Sequence, residues 1–369
     1  FEGRTLGEVI ADDRARWLGP DLAERDPSGL PFLLKVLAIG EALSVQAHPS
    51  AEQARSGFDA ENAAGIAVDA PERTYRDPGA KPEALVALVD TWVLCGFRDP
   101  LVAADLVDGL GVAVLDPLVA TLRTGGPDAL CDALTWLLGL EAEASTEVVG
   151  AAAAASSAAA SSTSRSENRH DPRWWVAHLA AGHPDDPACL VPLLLEVLLL
   201  HPGQAVHLPA GNLHAYLEGA GVEILASSDN VLRAGLTRKH VDVDSLLAVL
   251  RFEPGVPPRP VRTEVGPGIT TYDAGEAAFA LARVDASAAT IEIRPNGPSL
   301  LLAVGGTVDV AGIDDGVSIG HGDAAFVAPG EGPLMVTGNG TLWWATTGDA
   351  LPRPREDERI GEGVEARSA

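Results

Sequence analysis

Two stretches of strand-like sequence, Leu30 to Pro49 and Leu200 to Leu236, are separated by a long segment of a different kind. In both, apolar residues alternate or cluster between Gly and Pro punctuation, the pattern of short β-strands in a sandwich. Between them, residues 99 to 141 carry Leu and Val at helical spacing with Ala filling, as in DPLVAADLVDGL and DALCDALTWLLGL, and WWVAHLAAG resumes that texture at Trp174. The spacing predicts a helical subdomain inserted into a β-domain. Asp99 and Asp128 are its candidate N-terminal caps or first-turn acids, where a carboxylate offsets unsatisfied backbone N–H groups.

The remainder divides by composition. Residues 144 to 169 form an Ala/Ser-rich tract with no large apolar residue to pack, so a mobile, disordered surface insertion is expected there. The prolines of FEPGVPPRPVR (252 to 262) preclude helix and ladder pairing and mark a linker. Beyond it, FALARVD, TIEIRP, SLLLAVGGTVDV, AAFVAPG, LMVTG and LWWATTG are strand words separated by turn residues, as in a second small β-sandwich. Its His321 reads as a turn residue. The expected organisation is therefore a β-domain from 1–98 and 200–251, a helical subdomain from 99–199, a C-terminal β-sandwich from 252–350 and a flexible tail from 351–369.

A formal net charge of −26 argues against nucleic acid, whose phosphates need basic stripes. Cys95, Cys131 and Cys189 include no close pair, which suggests neither a disulfide framework nor a thiolate metal site. The run LVPLLLEVLLL is too short to span a bilayer and carries Glu196, so no membrane association is expected. Neither a GxSxG elbow nor a dinucleotide fingerprint is present, so acyl transfer and nicotinamide chemistry find no support.

The candidate chemistry lies in the strand-like blocks and in a short AKPEAL segment. Side chains at i and i+2 of a strand share a face, so Gln46 and His48 of SVQAHPS point to one side, joined by Ser44. Lys81 and Glu83 of AKPEAL repeat that spacing, and Pro82 pushes Lys81 toward extended geometry. His214, in PAGNLHAYLEG, adds a second imidazole. Two imidazoles, a carboxylate and an amide oxygen without thiolate suit a borderline metal such as zinc, whereas a hard-cation cage would want more carboxylates. Taken singly, a histidine beside a β-rich run is more often structural and KPE is more often a turn. Their company with VEILASSDNVLRAGLTRK, from Val222 to Lys239, changes that balance.

Together these words resemble type I phosphomannose isomerases. The marks are LPFLLKVLAIGEALSVQAHPS (30 to 50), KPE (81 to 83), LCGFRDP (94 to 100), HPGQAVHLPAGNLHAYLEG (201 to 219) and VEILASSDNVLRAGLTRKHVDV (222 to 243), in the family's order. The resemblance covers residues 1 to 250 well and the rest in architecture. It implies a mainly β fold, with a cupin-like jelly-roll catalytic sandwich, the helical insertion and a second jelly-roll-like β-domain at the C-terminus. It also implies one Zn2+ per chain on Gln46, His48, Glu83 and His214. Arg233, Lys81, Glu223 and Asp229 fall on catalytic positions, and Lys35, Ser44 and Lys239 on substrate-binding ones. The implied activity is aldose–ketose isomerisation between mannose 6-phosphate and fructose 6-phosphate through an enediol-type intermediate. A hexose 6-phosphate is the expected partner, and a cytoplasmic monomer the expected state.

Three departures stand out. The family opens with a segment bearing a Trp-Gly pair, which this chain joins already inside, as a fragment or a shortened form would. Gly79 and Ala80 stand where Asn-His precedes KPE, and Arg238 stands where Pro precedes the lysine. The first two motivate an alternative, a non-catalytic cupin-like metal-dependent phosphosugar-binding protein.

Overall fold

The computed structural model describes residues 3–26, 29–160, 169–287, 289–313 and 315–351. Three short helices open it, α1 (Leu6–Asp12), α2 (Arg14–Leu18) and α3 (Pro20–Arg25). A capping box starts α1: Thr5 Oγ1 accepts from the Glu8 N–H at 3.2 Å, and Glu8 Oε2 accepts from the Thr5 N–H at 2.7 Å. Strands β1 (Phe32–Ile39) and β2 (Val45–Ala47) follow, then helix α4 (Ala51–Ala63), started by the same device between Ser50 and Gln53. Strands β3 (Glu83–Ala87) and β4 (Thr91–Phe97) lead into α5 (Pro100–Asp108), α6 (Asp116–Leu122), α7 (Gly126–Leu138), α8 (Ala142–Ala160) and α9 (Pro172–Gly182). The chain then returns to strand as β5 (Leu195–Leu200), β6 (Ala205–Leu208), β7 (His214–Ala226) and β8 (Leu232–Gly235), followed by α10 (Val243–Val249).

The two strand-rich blocks join in one eight-stranded system, of order β5-β4-β7-β2-β8, with β1 on β7 and β3 paired to both β6 and β7. The helices between β4 and β5 form the expected insertion. Leu115, Leu118, Leu130, Leu134 and Trp175 bury one cluster together with Val45 and Leu94 of the strands. Asp99 caps α5, its Oδ1 accepting from Leu101 N–H at 2.9 Å, and Asp128 lies in the first turn of α7. Gly96 makes possible the irregularity between Leu94 and Phe97 where β4 pairs with β5: its φ of +81° is left-handed, and a Cβ there would run into the Gly255 carbonyl.

The Ala/Ser-rich tract is a correction. Residues 142–160 are helix α8, and 161–168 lie outside the described residues. Val148 and Val149 are each 1% exposed, and Ala152 and Ser156 are fully buried. One face carries enough apolar surface to pack, while alanine's helical propensity supplies the rest.

Eight further strands form the second sheet: β9 (Val261–Gly266), β10 (Ile269–Asp273), β11 (Ala280–Asp285), β12 (Ile291–Ile293), β13 (Ser299–Ala311), β14 (Gly316–Gly320), β15 (Ala324–Val327) and β16 (Leu334–Thr346). Its order is β14-β13-β16-β11-β10-β9, with β12 on β16 and β15 on β13. The words LMVTG and LWWATTG are one continuous strand, β16. His321 sits in a turn, its Nδ1 accepting from Gly305 N–H at 2.8 Å. Residues 352–369, expected as a flexible tail, lie outside the described residues.

The chain divides into two compact units otherwise than the composition suggests. One comprises 35–223 and 228–259; the other comprises the described residues of 1–34, 224–227 and 260–369. The N-terminal helices therefore group with the second sheet, because Ile10, Leu18 and Leu22 bury a cluster that includes Phe326, whose ring meets Trp17 edge-on at 6.2 Å.

Candidate metal centre

Strand β2 lies between β7 and β8, and its register sets Gln46 opposite His214 on one side and Arg233 on the other. Facing residues of paired strands are side-chain neighbours, so the three share a face. Gln46 Nε2 lies 3.5 Å from His214 Nε2. His48, two residues further, brings its ring centroid to 5.3 Å from that of His214. Glu83 completes the group from the first position of β3, with Oε1 at 3.2 Å from His48 Nε2 and Oε2 at 3.7 Å from His214 Nε2. All three are 1% exposed, and their ligand atoms lie within 4.8 Å of one another.

Backbone carbonyls set both tautomers. His48 Nδ1 donates to the Asn230 carbonyl at 2.9 Å, and His214 Nδ1 donates to the Asn212 carbonyl at 3.1 Å. Each Nε2 is thereby left as a lone pair aimed at the Glu83 carboxylate. Burial holds His48 below the usual imidazole range, against the pull of Glu83. Burial by itself would raise the Glu83 carboxyl, but His48, His214 and Lys81 more than reverse it and keep it well below the usual carboxylate range. Lys81 Nζ stands 3.1 Å from Glu83 Oε1. His48 Nε2 and Glu83 Oε2 are buried with no hydrogen-bond partner. Acceptors converging with no proton between them fit a cation at their centre, and the nitrogen and oxygen donors fit zinc. Gln46 Oε1 accepts from Ser44 Oγ at 3.2 Å. A half-turn of its amide would present that oxygen beside His214 as a fourth donor and let Nε2 donate to Ser44.

A cavity of about 660 Å3 adjoins Gln46, and Arg76, Lys81, Asp229, Arg233, Arg238 and Lys239 are on its wall. Arg73 lines it too but is committed to structure, with Nε 2.9 Å from Glu61 Oε2 and its other nitrogens on backbone carbonyls. Among the described residues, Arg76, Arg233, Arg238 and Lys239 have no carboxylate partner. Burial lowers the Arg233 pKa, and the like charge of Arg76 adds to that. In a chain of net charge −26, a cleft of unpaired guanidinium groups is a receptor for an anion.

The sequence-derived site residues thus divide into two groups. Gln46, Lys81, Asp229, Arg233 and Lys239 line the cleft, whereas Lys35, Ser44 and Glu223 do not. Lys35 Nζ instead lies 3.6 Å from Glu223 Oε2. Glu223 is 5% exposed, and burial together with the charge of Glu83 pushes its carboxyl up to about 7, against Lys35, Lys81 and His214. Sequence reasoning missed Arg76, which no local pattern distinguishes from a surface arginine, and the Asn212 and Asn230 carbonyls, which carry no side-chain signal. It also treated Arg238 only as a departure. Cys95 and Cys189 are buried free thiols, Cys189 pushed up to about 12 by burial, and neither joins the centre.

A paired-imidazole and carboxylate centre carried on antiparallel strands, beside a cationic cleft, defines a cupin-like metalloprotein of the zinc type. The family model for the catalytic domain of type I phosphomannose isomerase matches residues 2–100. Mannose-6-phosphate isomerase of Escherichia coli (strain K12) is 33% identical over 341 residues, covering 92% of this chain and 84% of that protein. The Mus musculus mannose-6-phosphate isomerase is 30% identical over 351 residues, covering 90% of this chain and 80% of that one. A crystal structure of mannose 6-phosphate isomerase with zinc bound superposes with a TM-score of 0.81 at 31% identity, over 93% of this chain and 85% of that one. A variant of phosphomannose isomerase from Salmonella typhimurium gives 0.82 at 31% identity over the same shares. This chain belongs to the type I phosphomannose isomerase family.

Proposed function

We propose that this protein is a zinc-dependent aldose–ketose isomerase that interconverts mannose 6-phosphate and fructose 6-phosphate through an enediol-type intermediate. One observation carries the reading: on adjacent strands, a buried donor set that fits a metal lies beside an arginine with no carboxylate partner. His48, Glu83 and His214 hold the zinc, with Gln46 as fourth ligand. Bound there, zinc supplies Lewis-acid polarisation of the sugar's oxygens.

The chain's own residues do the rest. Arg76, Arg238 and Lys239 anchor the phosphate; together with Arg233 they are the cleft's arginine and lysine side chains that, among the described residues, have no carboxylate partner. Arg233 remains charged and offers a rigid fork of donors, so it orients the open-chain sugar and stabilises negative charge as the C2 proton leaves. Glu223 stands off the cleft wall but close enough to the centre to feel Glu83, Lys81 and His214, and we assign it as the base that takes the proton from C2 and returns it at C1; a carboxyl pushed up to about 7 exchanges protons readily at neutral pH. Lys81 is committed to Glu83 and Asp229 is exposed, which leaves both as orienting groups. Lys35 steadies Glu223 and Ser44 steadies Gln46, in place of direct phosphate binding. We assign this chemistry to the unit of 35–223 and 228–259, and a monomer in the cytoplasm belongs to the same proposal. Among the described residues, no helix is long and apolar enough to cross a membrane.

The test is an assay in the fructose 6-phosphate direction before and after chelation. Activity lost with chelator and restored by zinc is expected; turnover that persists without metal removes the reading.

A further inference from the structure

Asn230 is fully buried and belongs to neither the metal donors nor the cleft wall, yet its side chain and both backbone polar groups are used. Its backbone carbonyl accepts from His48 Nδ1 at 2.9 Å. Its Oδ1 accepts from the Arg76 N–H at 2.7 Å and the Asp77 N–H at 3.3 Å. Its Nδ2 donates to the Asp77 carbonyl at 2.7 Å and the Gly79 carbonyl at 2.9 Å. Its own N–H donates to Ser228 Oγ at 3.2 Å, and that hydroxyl donates to the Gly79 carbonyl at 3.1 Å. Asp77 returns the lacing, its carboxylate accepting from the Asp229 N–H at 2.8 Å and the Gly79 N–H at 2.8 Å.

The segment so fastened begins at Arg76, on the cleft wall, and runs directly into Lys81 and Glu83. We propose that Asn230 is a positioning residue that fixes two limbs of the centre at once, the His48 imidazole through its carbonyl and the Arg76-to-Glu83 segment through its amide. The chemistry requires an amide. A carboxylate of the same size can accept from the two N–H groups, but it would repel the Asp77 and Gly79 carbonyls. An apolar side chain would leave those carbonyls and N–H groups buried without partners. The residue acts before any sugar binds, so its effect must appear in metal affinity.

The inference rests on the metal reading above, so zinc binding by the wild-type full chain is measured first, by chelator competition. No binding there would overturn both. Asn230→Ala and Asn230→Asp are then expected to bind zinc roughly 10- to 100-fold more weakly, the usual consequence of losing a group that orients a ligand. The rise in melting temperature on adding zinc is expected to shrink in parallel. A purely structural asparagine would lower the melting temperature of metal-free and zinc-loaded protein equally and leave that rise intact. Arg233→Ala serves as the control, with zinc affinity unchanged. Should Asn230→Ala not fold, Asn230→Asp keeps the volume and one end of the amide, and Ser228→Ala removes only the hydroxyl that braces it, with weakening of a few-fold expected. A folded Asn230 variant with wild-type zinc affinity overturns the proposal.

Discussion

Replacing Glu223 with Gln is expected to make the protein more stable and nearly inactive, and the stability gain depends on pH in a defined direction. The carboxyl is buried and pushed up to about 7, against an ordinary 4.5. A raised carboxyl pKa means that the folded chain holds this proton more tightly than the unfolded chain does. Below pH 4.5 both states are protonated and the group is neutral to stability. As pH rises from 4.5 to about 7 the unfolded chain ionises first and stability falls, and above 7 the full penalty is present. At roughly 1.36 kcal/mol per pH unit, the gap between about 7 and 4.5 is worth about 3 kcal/mol. Gln keeps the volume and cannot ionise, so the penalty disappears. The lost pairing with Lys35 offsets little, because that lysine's side chain is 44% exposed.

Denaturant unfolding of the chelated protein at about pH 5 and about pH 8 measures the difference. The variant should exceed the wild type by about 3 kcal/mol at the higher pH and by less than about 1 kcal/mol at the lower. In the zinc-loaded protein, turnover should fall by roughly 10^2- to 10^4-fold, and the acid limb of the pH–rate profile should vanish. An equal stability gain at both pH values, or turnover within about tenfold of wild type, would refute the reasoning.

Three further outcomes are expected. His214→Ala should lose metal and activity together, whereas Arg233→Ala should retain zinc and lose most turnover; equal zinc loss in both, by metal analysis, contradicts the division of roles. Arg76→Ala should raise the KM for fructose 6-phosphate by roughly tenfold or more, as expected for losing a charge-assisted hydrogen bond, with zinc content unchanged; an unaltered KM would remove Arg76 from phosphate binding. Val148→Asp places a charge at a 1% exposed position of α8 and should cost roughly 3 kcal/mol or more in chemical denaturation. A neutral result would restore the view of this tract as a surface insertion.

Of the metal-competent cluster His48, Glu83 and His214, the first two lie in short extended words whose i, i+2 spacing was visible in the sequence, whereas His214 joined them only through the family resemblance. Gln46 and His48, and likewise Lys81 and Glu83, are neighbours in sequence whose spacing already gives them a common face. The helical insertion was equally legible, from Leu and Val at helical spacing and from Asp99 at a cap. Helix α8 was not, because Val148, Val149 and Ala152 count as a packing face only once there is a layer to receive them. Nor could the sequence separate Arg73 from Arg76. Both sit in ERTYRDPG, yet one is spent on Glu61 and the other faces the cleft without a carboxylate partner.

Local order along the chain, its strand and helix periods and its caps, follows from covalent geometry and backbone sterics, which act over a few residues and are written in the sequence. Convergence is another matter. Gln46 and His214 meet across 168 residues, and Asn230 reaches Gly79 across 151. Which histidine nitrogen carries the proton, which carboxyl is driven toward neutrality and which arginines remain without a partner all depend on burial and on charges brought from distant strands. Electrostatic energies are set by separation and by the exclusion of water, and both exist only after the chain has packed.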